Sequence, residues 1–215
     1  PIPTGKVNRE HALLFGTVLS IVSVIGLYYF SNLTSAILLS ITIAFYVFVY
    51  TIWLKRKTSQ NIVIGGASGA LPPVIGWTIA TNSLTFEPIT FFLIIFFWTP
   101  SHFWALSLYK ADDYQKAKIP MLPITNGIEE TKKNIFVYSL IMLPIVILPY
   151  YIGFVGETFL IISLLLTFYY NYVCYDLLKF KKNKFEIKKA QKVFSYSIFY
   201  LFLLFVLFLV DQIIK

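Results

Sequence analysis

The sequence predicts an all-α fold, a polytopic bundle of transmembrane helices. Three observations carry the prediction. Apolar stretches of about 20 residues, enough to cross a hydrocarbon core of about 30 Å, recur seven times in 215 residues. Charged residues are 13% of the chain and hydrophobic residues 58%, whereas a water-soluble domain carries about a quarter charged residues. The basic residues crowd into alternate connections between the apolar stretches. Lipid offers no partner to exposed backbone, so only helices or a closed barrel can span it. A barrel would show alternating strands of about ten residues, and these runs do not alternate.

The spans are expected at 12–30, 34–54, 62–81, 88–109, 134–153, 157–178 and 193–213, within one domain covering 1–215. The third, "IVIGGASGALPPVIGWTIA", should break at Pro72-Pro73, because proline removes a backbone donor and clashes with the preceding turn. Its Gly65 and Gly69 form a GxxxG pair that lets helices approach closely. Pro100 sits inside the fourth span, where it frees carbonyls for other partners. Tyr169, Tyr170, Tyr172 and Tyr175 cluster in the sixth, either packing between helices or lining a cavity with ring faces.

Lys6 and Arg9 precede the first span, and Lys55, Arg56 and Lys57 follow the second. Lys110, Lys116, Lys118, Lys132 and Lys133 lie between the fourth and fifth, and seven lysines from Lys179 to Lys192 between the sixth and seventh. Seventeen of the eighteen basic residues thus share one side, with Lys215 on the other. The positive-inside rule makes that side cytoplasmic. The net charge of +8 is therefore a topology signal. No soluble domain presents a basic patch, so a nucleic-acid partner is excluded. The run "KFKKNKFEIKK" reads as a solvated loop beside anionic lipid heads. The single cysteine, Cys174, cannot form a disulfide within the chain, and no Cys/His cluster suits zinc.

Chemistry is expected at the basic side. "YKADDYQKAKIPMLP" places Asp112 and Asp113 side by side at the membrane surface, with Lys110, Lys116 and Lys118 around them. Adjacent carboxylates suit Mg²⁺, which binds through one or two carboxylates and substrate phosphates. "LKRKTSQN" adds Lys55, Arg56 and Asn61 on the same side. Together they fit a molecule with a phosphorylated head and a lipidic tail. The plain alternative is two solvated acids balancing nearby lysines. His102, in "FFWTPSHFWALSLY", either binds haem iron or a proton or packs by a hydrogen bond. His11 lies at the edge of a span and reads as structural.

Three stretches carry a resemblance: "PIPTGKVNREHALLFG", "YTIWLKRKTSQNIVIGGASGALPPVIGW" and "FFWTPSHFWALSLYKADDYQKAKIPMLP". In this order they resemble the UbiA superfamily of intramembrane prenyltransferases, in particular its haem-farnesylating branch, from Pro1 to the last span. The resemblance implies a helical bundle of about nine spans with a central cavity. It implies transfer of farnesyl from farnesyl diphosphate to a vinyl group of haem b, giving haem O, in the cell inner (cytoplasmic) membrane with the site facing the cytoplasm. It implies Mg²⁺ as cofactor, held by Asp112 and Asp113 as the second of two Asp-rich motifs, these aspartates being the catalytic pair. Lys55, Arg56, Asn61, Lys110 and Lys116 become the diphosphate-binding candidates, and His102 a haem-binding candidate. The partners are farnesyl diphosphate, haem b, the lipid bilayer and, as a candidate, the enzyme that converts haem O to haem A.

The family's first Asp-rich motif lies just upstream of an "RP-PxG" stretch, and this sequence starts inside that stretch. Two helices and the first motif are therefore expected outside it. Lys118 stands where "AGxPMLP" has glycine, Ser101 where a second proline is usual, and no DxxxD spacing surrounds Asp112. The competing class is a transporter or haem-handling assembly protein without catalysis. A transporter would place charges at mid-membrane, whereas these gather at the ends, apart from Asp176 and Asp211 near the ends of their spans.

Overall fold

A computed structural model describes Ile2, residues 4–180 and residues 183–214. Lys181, Lys182 and Lys215 of the orientation pattern, and Pro1, lie outside the described residues. Every regular element described is helical. Seven helical stretches are long and apolar enough to cross a membrane: Arg9–Phe30, Leu33–Leu54, Asn61–Thr81, Glu87–Tyr109, Ile128–Tyr151, Glu157–Lys179 and Ile187–Ile214. Each coincides with an expected span.

The first is α1 (Arg9–Phe30), whose N-cap Asn8 side chain accepts from the Glu10 N–H. The second begins as α2 (Leu33–Ala44) and continues as a π-helical segment, Phe45–Leu54. The Lys55 N–H bonds the Tyr50 carbonyl, five residues back, at 2.8 Å. The wider coil is uncommon and occurs mostly as short bulges at functional sites. The third span is divided as Pro72-Pro73 requires, into α3 (Asn61–Ala70) and α4 (Pro72–Thr81). The fourth, α5 (Glu87–Tyr109), runs unbroken through Pro100. The connection expected as a long loop is mostly helical, with α6 (Ala111–Lys116), α7 (Leu122–Thr125) and the early start of α8 (Ile128–Tyr151). The last two are α9 (Glu157–Lys179) and α10 (Asn183–Ile214).

α5 is the central post. It packs against α3, α8 and α10, while α9 closes the far side against α8 and α10. α1 rests on α2, and none of its residues is buried. Polar side chains fix the central contacts. The Trp98 indole donates to the Ser197 carbonyl at 2.8 Å, and the Ser101 hydroxyl meets the Tyr170 hydroxyl at 2.6 Å. Thr167 and Tyr200 hydroxyls pair at 2.9 Å, tying α9 to α10. Ser35 and Thr78 hydroxyls pair at 2.8 Å, tying α2 to α4. Interhelical bonds of this kind average about 0.6 kcal/mol in lipid. They fix rotation and register more than they add stability.

Two lysines counted as topology markers, and the aspartate near the end of the last span, have structural roles. Lys132, fully buried, donates to the Phe180 carbonyl at 2.7 Å and to Glu129 at 3.0 Å, so it fastens the end of α9 instead of reaching solvent. Lys189 on α10 pairs with Asp176 on α9. Asp211 is 5% exposed, and both its oxygens accept from the Gly156 N–H at 2.9 and 3.1 Å. Gly156 is the N-cap of α9, so the carboxylate sits where a helix favours negative charge.

Removing that cap should be measurable. Asp211→Ala is expected to cost about 1–2 kcal/mol, lowering the unfolding midpoint in detergent by several degrees, with Asp211→Asn keeping part of the loss back. An unchanged midpoint for the alanine variant would show that Asp211 contributes no cap.

Candidate active site

A cavity of about 770 Å³ opens between four helical walls, within the size range of small-molecule sites, roughly 300–1,000 Å³. α2 and its π-helical continuation contribute Thr42 to Tyr50, α3 Ile62 to Gly69, α5 Ile95 to Phe103, and α1 adds Ser20. Each of the first three walls is about two turns long, so the cavity is roughly 12 Å deep at 1.5 Å per residue. Tyr50, Ile62 and Phe103 lie toward the basic connections. Thr42, Gly69 and Ile95 lie toward the middle of the bundle.

Two glycines of α3 let the walls close in. A Cβ on Gly65 would collide with Cδ2 and Cε2 of Tyr50, so the tyrosine ring presses on the bare backbone. A Cβ on Gly66 would stand 3.1 Å from Cγ2 of Thr99 on α5. α3 is thus squeezed between the π-helical segment and α5. The lining is aromatic, aliphatic or hydroxylic, with no charged side chain among the described residues.

Charge gathers at the basic end instead. Asp112 and Asp113 occupy the first turn of α6 and are exposed. Lys110 lies 3.4 Å from Asp113, and Lys116 ends the same helix. Tyr114, the next residue, is half-buried, and burial pushes its phenol up from its ordinary range. It interacts electrostatically with Tyr50 in the cavity wall and Tyr109 at the end of α5. α6 follows directly on the end of α5, at the same end of the bundle as Tyr50 and Phe103 of the cavity lining. Lys55 closes the other side, 5.8 Å from the Tyr50 ring centre, with Arg56 exposed next to it. Among the described residues no group of three or more His, Cys, Asp or Glu side chains gathers. Two adjacent carboxylates fit Mg²⁺ when phosphate oxygens and water complete its shell.

Two expected site residues are set apart. Asn61 is fully buried at the start of α3. Its amide N–H donates to the Thr58 carbonyl at 2.7 Å, and its Oδ1 has no partner among the described residues. That leaves it a free acceptor, suited to a cation or an N–H and not to a phosphate oxygen. His102 is 8% exposed and is not among the lining residues. Its ring stacks between Trp98, at 4.2 Å, and Phe194, at 4.5 Å. The Ser197 hydroxyl donates to the Phe194 carbonyl and lies 2.7 Å from Nδ1, so Nδ1–H donates to it and Nε2 keeps the lone pair. Of the tyrosine cluster of α9 only Tyr170 is buried, against Tyr200; Tyr169 meets Tyr196 and Tyr175 receives Lys179, but these two and Tyr172 are exposed. Tyr46, Tyr50 and Trp98 line the cavity, and the sequence reading did not single them out. The signal for Tyr50 was its position just before the "LKR" cluster.

The turn after α6 explains a departure noted in the sequence. The Ile119 N–H bonds the Tyr114 carbonyl and the Lys118 N–H the Gln115 carbonyl, the paired bonds of a Schellman ending. That ending needs a left-handed residue, and Lys118 has φ +54°.

A membrane bundle with an apolar cavity and paired carboxylates at its mouth is the architecture of intramembrane prenyl transfer. The family model described as UbiA prenyltransferase matches residues 1–204, and the chain belongs to that family. It is 74% identical over 214 residues to the protoheme IX farnesyltransferase of Pelagibacter ubique (strain HTCC1062), covering 100% of this chain and 71% of that relative. It is 45% identical over 212 residues to the protoheme IX farnesyltransferase of Parvibaculum lavamentivorans, covering 99% of this chain and 67% of that one. A solved structure from work on digeranylgeranylglyceryl phosphate synthase shares the fold, with a TM-score of 0.79 at 20% identity, over 100% of this chain and 74% of its own.

A left-handed lysine costs about 1 kcal/mol or more against glycine. Lys118→Gly is therefore expected to raise the unfolding midpoint by about 2–4 °C. A lowered midpoint would mean that the lysine side chain makes contacts worth more than the backbone strain.

Proposed function

We propose that the chain is the membrane-embedded catalytic part of a prenyltransferase that moves farnesyl from farnesyl diphosphate to a vinyl group of haem b, giving haem O and diphosphate. The observation that carries this reading is a cavity without charges that opens toward the end of the bundle where the aspartate helix α6 follows α5. A phosphorylated head and a hydrocarbon tail need those two environments side by side. The names of the relatives supply the particular donor and acceptor. By the positive-inside rule the mouth faces the cytoplasm, and the membrane is the cell inner membrane.

The reaction breaks the bond between the allylic carbon and the diphosphate oxygen, and the electron pair leaves with diphosphate. Lys110, Lys116, Lys55 and Arg56 supply positive charge where negative charge builds up, the arrangement that most lowers a barrier of this kind. Asp112 and Asp113 would hold Mg²⁺, which supplies further neutralisation of the leaving diphosphate. The allylic cation is left among the rings of Tyr46, Tyr50, Trp98 and Phe103, whose faces attract positive charge and whose bulk excludes water. The vinyl π electrons of haem b form the new carbon–carbon bond, and water adds to the resulting cation with loss of a proton.

The test is haem O formation from haem b and farnesyl diphosphate, in membranes carrying the chain together with any coding sequence preceding Pro1. Product should form with Mg²⁺ and disappear with a chelator. Asp113→Ala should lower the rate by about 100-fold or more, the scale of losing a group that stabilises developing charge, while membrane insertion is unchanged. Normal turnover in that variant would remove the metal assignment. Lys55→Ala should raise KM for farnesyl diphosphate about tenfold, the equivalent of one charge-assisted hydrogen bond, and leave KM for haem b near the parent value. Equal rises in both would assign Lys55 a structural role.

A further inference from the structure

The inner end of the cavity differs from its mouth in two respects. Its hydroxyl groups are already spent. Ser20 donates to the Gly16 carbonyl, Thr42 to Leu38, Ser68 to Gly65 and Thr99 to Ile95, all at 2.7–2.8 Å. Four polar lining residues therefore turn their protons back into their own helices. A ligand reaching this depth meets hydrocarbon and ring surface, with no hydroxyl proton on offer. The occupant that suits such a lining is itself hydrocarbon.

Gly69 is the second respect. Gly65 and Gly66 are bare because Tyr50 and Thr99 press on them, but a Cβ on Gly69 would meet nothing within 4 Å. Gly69 lines the cavity and is exposed into it. Glycine within a helix costs about 1 kcal/mol against alanine, and no neighbouring side chain uses the space it leaves. An apolar void forfeits its dispersion contacts until something fills it.

We propose that the inner end seats the far end of the prenyl chain, and that Gly69 is a specificity-determining residue for chain length. This rests on the prenyltransferase reading above. Side chains larger than glycine at position 69 shorten the cavity from its inner end, without touching Asp112, Asp113 or Lys55 at the mouth. The chain selected is then the one whose terminal isoprene unit reaches the α3 backbone at Gly69.

The experiment offers membranes carrying the chain, together with any coding sequence preceding Pro1, haem b with geranyl, farnesyl or geranylgeranyl diphosphate, of ten, fifteen and twenty carbons, and compares kcat/KM for the three donors. The parent should prefer farnesyl. Gly69→Leu should lower the farnesyl-to-geranyl ratio by about 10- to 100-fold, the discrimination that loss of apolar pocket space gives. Gly69→Val should give a smaller shift in the same direction, which keeps the test available if the leucine variant inserts poorly. Gly76→Leu is the control, because Gly76 also has nothing within 4 Å of its Cβ position but does not line the cavity. Its ratio should match the parent's. A ratio unchanged in both Gly69 variants, or equal loss with all three donors, overturns the proposal while the prenyltransferase reading stands. No prenylated haem from the parent with any donor overturns both.

Discussion

The bundle depends on α5 being enclosed by other helices within lipid. A helix surrounded in this way cannot be held by hydrophobic burial alone, because lipid is as apolar as its neighbours. Its rotation is set by polar side chains that have no other place to bond. Trp98 and His102 reach Ser197 on α10, and Ser101 reaches Tyr170 on α9. These three residues, at i, i+3 and i+4, share one face of the helix. They point the remaining face, with Ile95, Thr99 and Phe103, toward α3 and the cavity. Trp98 serves both sides, lining the cavity while its ring stacks on His102.

The opposite wall has a different origin. α3 approaches closely on two sides because Gly65 and Gly66 present bare backbone to Tyr50 and Thr99. The π-helical coil of Phe45–Leu54 brings Tyr46 and Tyr50 together, with ring centres 5.4 Å apart. An apolar chamber bounded by rings and small residues results, and the charged groups remain outside it. That separation is what an allylic diphosphate requires, since its head must be neutralised and its carbon chain kept from water. It also disfavours a transporter, which would need polar or charged contacts along the path.

Most of the fold was legible because a membrane span is a local property. Twenty apolar residues announce a helix whatever surrounds them, and all seven expected spans are present. The break at Pro72-Pro73 was legible for the same reason, since the proline ring acts on its own turn. The 110–133 connection was harder. Its charges and prolines read as loop, yet Met121 and Leu122 are buried and anchor it beneath the bundle as short helices. The π-helical segment left no trace in "FYVFVYTIWL", whose apolar residues suit an ordinary α-helical span equally well. Lys132 counted in the sequence only toward orientation, and its burial comes from an acceptor at Phe180, 48 residues away.

Sequence alone determined the helical class, the number of spans, and the residue types offered for chemistry at the basic side, because each follows from local composition or from a contiguous motif. Tertiary structure decided which of those residues share a site. Asp112 and Asp113 stand on α6, which follows α5 at the end of the bundle toward which the cavity opens. Asn61 is withdrawn from the surface, and His102 is held between α5 and α10. The three glycines of α3 are equivalent in sequence and differ only in what faces them: a tyrosine ring, a threonine methyl and open cavity. No local pattern encodes that difference, since it depends on how separate helices are rotated against one another.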